Sequence, residues 1–128
     1  GGNLDRERLL EEVLAPLRQG QPVSFRRFDC HSLTLLPPVA VAPSSLAVVE
    51  GSYSLHPELA PMYDISVCLT LSTELQRRRI LARNGEAMAR RFFERWIPLE
   101  QAYFDAMKPQ TRCGFLIKAD QLSDEAPL

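Results

Sequence analysis

The residues best suited to chemistry in this sequence are arginines in its second half. Of the 15 lysines and arginines, 13 are arginines. Seven of them fall in one short segment: Arg77, Arg78, Arg79, Arg83, Arg90, Arg91 and Arg95. The arginine side chain presents a planar fork of donors that matches the oxygens of a phosphate group. The cluster therefore predicts a local anion site, although a solvated helix face paired with Glu74, Glu86 and Glu94 explains it equally well.

A second candidate is Glu50, which follows the apolar run at 46–49 and precedes Gly51. A continuously apolar run is typical of a strand buried on both faces of a parallel sheet. In open α/β sheets, ligands bind beyond the carboxyl ends of such strands. Glu50 is therefore a candidate for the mouth of a phosphate site. The alternative is a structural role, in which its carboxylate accepts hydrogen bonds from the backbone of the next turn.

The composition is that of an ordinary globular domain. The chain has 128 residues, of which 45% are hydrophobic and 24% are charged, and its formal net charge is -1. A near-neutral chain is unlike a general nucleic-acid or membrane-surface binder, and no apolar run has the length of a membrane span. The first residues show no apolar core of a signal peptide. Cys30, Cys68 and Cys113 are widely spaced without a CxxC motif. We therefore expect a cytoplasmic protein with no nucleic-acid or membrane partner.

The apolar pattern predicts the elements that position these residues. The predicted helices span 3–18, 72–83 and 86–107, and the predicted strands span 23–29, 39–42, 46–50, 64–71 and 113–119. Asn84 and Gly85 separate two helices, and Pro98 predicts a kink in the last one. Buried strands that alternate with helices predict an α/β fold, with a mostly parallel sheet flanked by helices. Both Glu50 and Ser72 follow strand ends in this fold.

Four stretches of the sequence carry a resemblance to a known family. They are GGNLDRERLLEEVLAPLRQGQPVSFRRFDC, LAVVEGSYSLHPEL, YDISVCLTLSTELQRRRILARNGE and RWIPLEQAYFD. They extend from Gly1 to about Asp120 and resemble the uridine kinase family, more narrowly its bacterial uridine kinase-like P-loop proteins. The most specific pieces are VVEGSYSLHP and the block from RRRILARNGE to RWIPLE. The resemblance implies a P-loop kinase core that uses ATP and Mg²⁺ to phosphorylate a hydroxyl of a nucleoside (uridine-like) or a similar small molecule.

The resemblance also implies roles for the charged residues. The segment 79–95 resembles the mobile lid of the family, whose arginines close over the phosphates. Arg79 and Arg83 are four residues apart and can share a helix face, so we expect this pair to be catalytic. Arg90 and Arg91 are second candidates that bind substrate. Glu50 matches the acid after a hydrophobic strand, which implies that it holds a Mg²⁺-bound water or orients the acceptor.

Phe28, Asp29 and His31 match the part of the family that lines the nucleoside pocket. An aromatic ring can stack on a base, and a carboxylate can accept hydrogen bonds from ribose hydroxyls. Phe28 stands where the family frequently has a tyrosine, and His31 is closer to it than in typical uridine kinases. The alternative is that Phe28 belongs to the core and His31 is an ordinary loop residue.

The phosphate-binding motif of the family is missing from this sequence. A P-loop requires GxxxxGK followed by Ser or Thr, and neither Lys108 nor Lys118 follows a glycine. In the family this motif lies upstream of the GGN segment. We therefore expect residues 1–128 to be a single domain that forms the C-terminal portion of such a kinase and is inactive alone. The alternative is a non-catalytic module that binds a ligand or partner. A sheet lacking a strand would expose apolar surface, so a homo-oligomer is a further expectation.

Overall fold

The computed structural model describes residues 4–121. They form helices and two small sheets, which makes the fold a mixed α/β one. Contacts group the chain into two compact units, Gly1–Asp64 and Ile65–Leu128. Within the described residues, the helices are all too short or too polar to cross a membrane.

The first unit begins with a helical segment whose central turns are wider than an α-helix. Helix α1 spans Arg6–Arg8, a π-helical stretch spans Leu9–Leu14, and helix α2 spans Ala15–Arg18. The wide turns precede Pro16, which lacks the N–H that an α-helix needs and whose ring displaces the preceding turn. A continuous helix over 3–18 was the prediction; its first residue lies outside the described part of the chain. The Asp5 side chain caps α1 by accepting from the backbone N–H of Arg8.

Two antiparallel strands follow, β1 at Val23–Asp29 and β2 at Thr34–Val41. Strand β1 has the predicted bounds. Strand β2 is longer than the predicted 39–42, because the residues expected to form a loop extend the ladder. It contains two prolines, which a strand with a free edge tolerates. The register shifts between Arg26 and Phe28, and the Arg26 guanidinium donates to the carbonyls of Leu35 and Leu36 at 2.8 and 2.9 Å, which satisfies carbonyls beside the irregularity.

The predicted buried strand at 46–50 is wrong. This segment forms no strand, and the side chains of Leu46 and Val48 are 74% and 80% exposed. Apolar composition alone cannot make a strand, since each strand needs a neighbour to accept its backbone hydrogen bonds. In the same unit the chain buries Leu14, Val23 and Leu59 instead.

The second unit contains a parallel pair of strands, β3 at Val67–Thr70 and β4 at Phe115–Lys118. Each is shorter than the predicted 64–71 and 113–119. The prediction was a single, mostly parallel sheet. The described residues instead form two separate two-stranded sheets, of which β3 and β4 are parallel and β1 and β2 are antiparallel. Val67 lies opposite Phe115 and Leu69 opposite Ile117, and all four side chains are exposed. They form an apolar surface on one face of the pair.

Between these strands lie helix α3 at Thr73–Arg91, a π-helical stretch at Phe92–Trp96 and helix α4 at Ile97–Met107. The predicted break at 84–85 is confirmed as a kink, because Gly85 has φ 71° and ψ 170° within α3. The irregularity predicted from Pro98 is also present, as the wide turn that immediately precedes α4. The buried side chains of this unit include Ile80, Ala89, Tyr103 and Ala119.

Candidate functional site

An open cleft of about 330 Å³ lies in the second unit, where helix α3 begins. Ser72, Glu74, Leu75, Arg78 and Asp120 line it. Ser72 follows β3 and Asp120 follows β4, so the cleft lies beyond the carboxyl ends of both parallel strands. This is where ligands bind in parallel α/β sheets. Its volume is at the lower end of the range for small-molecule sites.

The polar floor of the cleft is a contact between Asp120 and Ser72. The backbone N–H of Ser72 donates to the Asp120 carboxylate at 2.9 Å. The Ser72 hydroxyl also donates to Asp120, and these two bonds, with a smaller contribution from the Arg79 charge, hold the pKa of Asp120 below its usual value. Asp120 is therefore a stable carboxylate near neutral pH, with a remaining capacity to accept hydrogen bonds.

The arginines of the predicted lid differ in their surroundings. Arg78 lines the cleft, Arg79 is half-buried and acts on Asp120 through its charge, and Arg83 is exposed one helical turn later. Arg79 and Arg83 lie on the uninterrupted part of α3 before Gly85, as the spacing predicted. Two carboxylates, those of Glu74 and Asp120, therefore lie near the start of α3. The guanidinium groups near them are those of Arg78 and Arg79.

Arg90 and Arg91 lie beyond the Gly85 kink, and both are exposed. Arg90 forms an ion pair with Glu94 at 2.7 Å, which raises the pKa of its guanidinium. Both side chains of this pair are mostly exposed, as in the alternative interpretation of a solvated, paired helix face. The predicted substrate contacts of Arg90 and Arg91 stay predictions.

Glu50 belongs to the first unit, where it is exposed and stands before a turn rather than at the end of a strand. Gly51 has φ 145°, a backbone conformation that favours glycine. The described residues contain no cluster of three or more His, Cys, Asp or Glu side chains able to hold a metal ion. Mg²⁺ bound together with phosphates needs only one or two protein carboxylates, so this finding leaves the water-mediated role of Glu50 as a prediction.

The predicted nucleoside-binding residues lie at the turn between β1 and β2. Phe28 is 55% exposed, so the alternative that it belongs to the core is wrong. The Asp29 carboxylate accepts from the backbone N–H of His31 at 2.9 Å and from the Ser32 hydroxyl at 2.7 Å. These bonds lower the pKa of Asp29 and give it a structural role within its own turn. His31 is an exposed turn residue.

Sequence reasoning missed most of the residues that line the cleft. The sequence indicates Ser72 as a residue that follows a strand end, and Arg78 as a member of the arginine cluster. It indicates Glu74 only as an ion-pair partner, and it gives no role to Leu75 or Asp120. The signal that identifies them is their position directly after two parallel strands. Models of protein families and curated proteins were compared with the chain, and neither comparison gave a match.

Proposed function

We propose that this chain is the ligand-binding portion of an ATP-dependent phosphotransferase that phosphorylates a hydroxyl of a nucleoside, uridine-like, or a similar small molecule. The observation that supports this proposal most is the cleft at the start of α3. It lies beyond the ends of parallel strands β3 and β4, and a guanidinium from Arg78 lines it. In this proposal the chain forms part of a P-loop kinase core, with the lid at 79–95.

The chemistry of the cleft favours a hydroxyl-bearing or amino-bearing group at its floor. The helix N-terminus would otherwise attract a phosphate, but the Asp120 carboxylate already accepts from the Ser72 N–H. A phosphate placed there would be repelled by Asp120 and Glu74. We therefore assign the phosphates to Arg79 and Arg83, further along the helix, and the hydroxyl or amino groups of the ligand to the two carboxylates.

Phosphoryl transfer also requires groups that position the phosphates and spread their charge. ATP brings the transferable phosphoryl group, and Mg²⁺, when bound, neutralises charge on its phosphate oxygens. Within the second unit, the chain would supply cations from α3 and hydrogen-bond acceptors in the cleft. The contact of Glu50 to a metal-bound water is a separate proposal for the first unit. The P-loop that would hold the phosphates has no counterpart in the sequence.

A second candidate is a non-catalytic module that binds a nucleoside or a related ligand. It is favoured by the contact between Asp120 and Ser72, since a carboxylate occupies the helix end that a phosphate would otherwise approach. The two candidates share the cleft and differ in whether a phosphoryl group is transferred.

The proposal is tested by calorimetry on the chain with uridine, other nucleosides and sugars, each with and without ATP and Mg²⁺. We expect a nucleoside to bind with a dissociation constant below 1 mM, and ATP alone to bind more weakly than that. Asp120→Ala should abolish nucleoside binding, whereas Asp105→Asn, an exposed carboxylate on α4, should leave it unchanged. Equal binding by both variants would contradict the assignment of the cleft.

Transfer is measured on the full-length protein that carries the chain, with ATP labelled at the γ-phosphate and the same acceptors. Labelled product with a bound acceptor supports the kinase. Acceptor binding without any labelled product or ATP hydrolysis supports the non-catalytic module. Absence of both binding and transfer overturns both candidates.

A further inference from the structure

The two helical segments on either side of Gly85 touch each other through their side chains. The guanidinium carbon of Arg77 lies 3.9 Å from the centre of the Phe93 ring. Arg77 stands eight residues before Gly85, and Phe93 stands eight residues after it. In a straight α-helix, two residues with this separation lie about 24 Å apart along the axis. The chain therefore reverses direction at Gly85, and residues 73–84 and 86–96 form the two arms of a helical hairpin.

The turn between the arms has the properties of a hinge. Gly85 combines φ 71° with ψ 170° and is exposed. Outside the adjacent backbone, no atom lies within 4 Å of the place where a Cβ of residue 85 would stand. The side-chain amide of Asn84 donates to the carbonyl of Ile80 at 3.1 Å, which satisfies a carbonyl at the end of the first arm. The backbone at residue 85 is therefore free to change its dihedral angles without displacing packed neighbours.

The second arm presents an aromatic face to the first. Phe93 is half-buried and lies in the π-helical stretch Phe92–Trp96, where the rings of Phe92 and Trp96 pack edge to face with centres 4.5 Å apart. Such wide turns are uncommon and frequently lie at functional sites. Arg77 is exposed, so its cation lies over the Phe93 ring in a partly solvated setting. A contact of this kind changes the ratio of two conformations by about two- to fivefold.

We propose that Arg77 and Phe93 form a latch that keeps the two arms of the hairpin closed about the Gly85 hinge. In the closed arrangement the guanidinium lies over the ring. In the open arrangement this contact is lost and the second arm moves away from the first. The second arm carries Arg90, Arg91 and Arg95, so the latch sets the distance between these cations and those of the first arm.

The proposal does not depend on the proposed function, because it rests on the contact between two side chains and on the conformation of the glycine between them. It also gives Arg77 a role that differs from anion binding. Its guanidinium acts within the chain, on an aromatic ring of the second arm.

The hairpin is tested by a distance measured on the full chain. Spin labels carried by unnatural amino acids at the exposed positions Thr73 and Leu99 leave the three cysteines unchanged. A straight helix would place these two positions about 39 Å apart. We expect a wild-type distance well below this value. A distance near the straight-helix value overturns the proposal.

The latch is tested by a double-mutant cycle in urea and by NMR relaxation dispersion at the amides of 86–96. Arg77→Gln removes the cation, and Phe93→Leu removes the ring face and keeps an apolar side chain. Each should raise the population of the open arrangement by about two- to fivefold. The double variant should show less than the sum of the two effects, because each substitution removes the same contact. Arg95→Gln, an exposed arginine of the second arm, is the control for lost positive charge and should leave the population unchanged.

Two conservative variants separate the latch from a general packing role. Phe93→Tyr keeps the ring and Arg77→Lys keeps the charge, so both should stay closer to wild type. They also carry the test if Arg77→Gln or Phe93→Leu does not fold, which circular dichroism shows. Additive effects of the two substitutions, or exchange at 86–96 that equals wild type in both, would overturn the proposal. Exchange of equal size throughout the second unit would also overturn it, since the motion would then be unfolding and not hinge opening.

Discussion

The carboxylate of Asp120 accepts a hydrogen bond from the backbone N–H of Ser72 at 2.9 Å. Asp120 follows the last residue of β4 by two positions, and Ser72 is the cap of α3. The bond therefore connects the end of a strand to the start of the longest helix in the described chain. Because the Ser72 hydroxyl donates to the same carboxylate, the helix start is held from outside the helix.

Replacing Asp120 with Asn should lower the urea midpoint of unfolding at pH 7. The pKa of Asp120 is below its ordinary value of 3.8 in the folded protein, so its contribution is present above pH 3.8 and is lost as the pH falls through the lowered value. The difference between wild type and variant should therefore shrink in acid. Asp105→Asn, on the exposed surface of α4, is the matched control for the loss of one carboxylate. A constant difference down to pH 2 would contradict the assigned role of the carboxylate.

The sequence predicted elements well where the signal was local. The alternation of β1 after Pro22 gave its bounds, and Gly85 and Pro98 each gave an irregularity at or near the predicted place. The failure at 46–50 has a different origin. An apolar run indicates that a segment favours burial. Burial also requires contacting residues elsewhere in the chain, and the local sequence pattern does not identify those residues.

The candidate site was predictable only in its general position. The rule that ligands bind beyond parallel strand ends pointed to Ser72, which does line the cleft. Asp120 could not be assigned, because its role depends on the pairing of β3 with β4.

Gly85→Ala should destabilise the protein, because Gly85 combines φ 71° with ψ 170° and this region is essentially restricted to glycine. The expected cost is about 1–3 kcal/mol. The urea unfolding curve measures it, and Glu86→Ala, at the next and exposed position, is the control. A variant that is more stable than wild type would mean that α3 runs straight through this position in solution.

Tyr63→Phe should make the protein more stable. The Tyr63 hydroxyl is buried and has no hydrogen-bond partner among residues 4–121. Removing an unsatisfied buried hydroxyl should contribute about 1 kcal/mol to the free energy of unfolding.

Burial also raises the pKa of Tyr63 above 10.0, so the folded state disfavours its ionised form, and wild-type stability should fall as the pH rises above 10. The variant should lose less stability over that alkaline range. If wild type and variant lost equal stability above pH 10, the Tyr63 hydroxyl would be hydrated in the folded protein.

Arg79→Gln combined with Arg83→Gln should weaken binding of inorganic triphosphate by about tenfold or more, because each guanidinium can make charge-assisted bonds to phosphate oxygens. Arg90→Gln should have a smaller effect, since Arg90 is paired with Glu94 on an exposed surface. Arg112→Gln, outside the predicted lid, is the control for lost positive charge. Calorimetry at two salt concentrations makes the comparison. If all four arginines contribute equally, triphosphate binding is a general charge effect and the pair has no special role.

Phe28→Ser should separate a binding role from a structural one. Phe28 is 55% exposed at the end of β1, so its loss should change the unfolding free energy by less than about 1 kcal/mol. If the ring stacks on a nucleobase, the same variant should reduce nucleoside affinity several-fold, since one stacking contact contributes about 1–3 kcal/mol. Leu59→Ala is the structural comparison: Leu59 is fully buried, and its truncation should cost about 2–5 kcal/mol. Unchanged affinity in a folded Phe28→Ser protein would remove Phe28 from the nucleoside site.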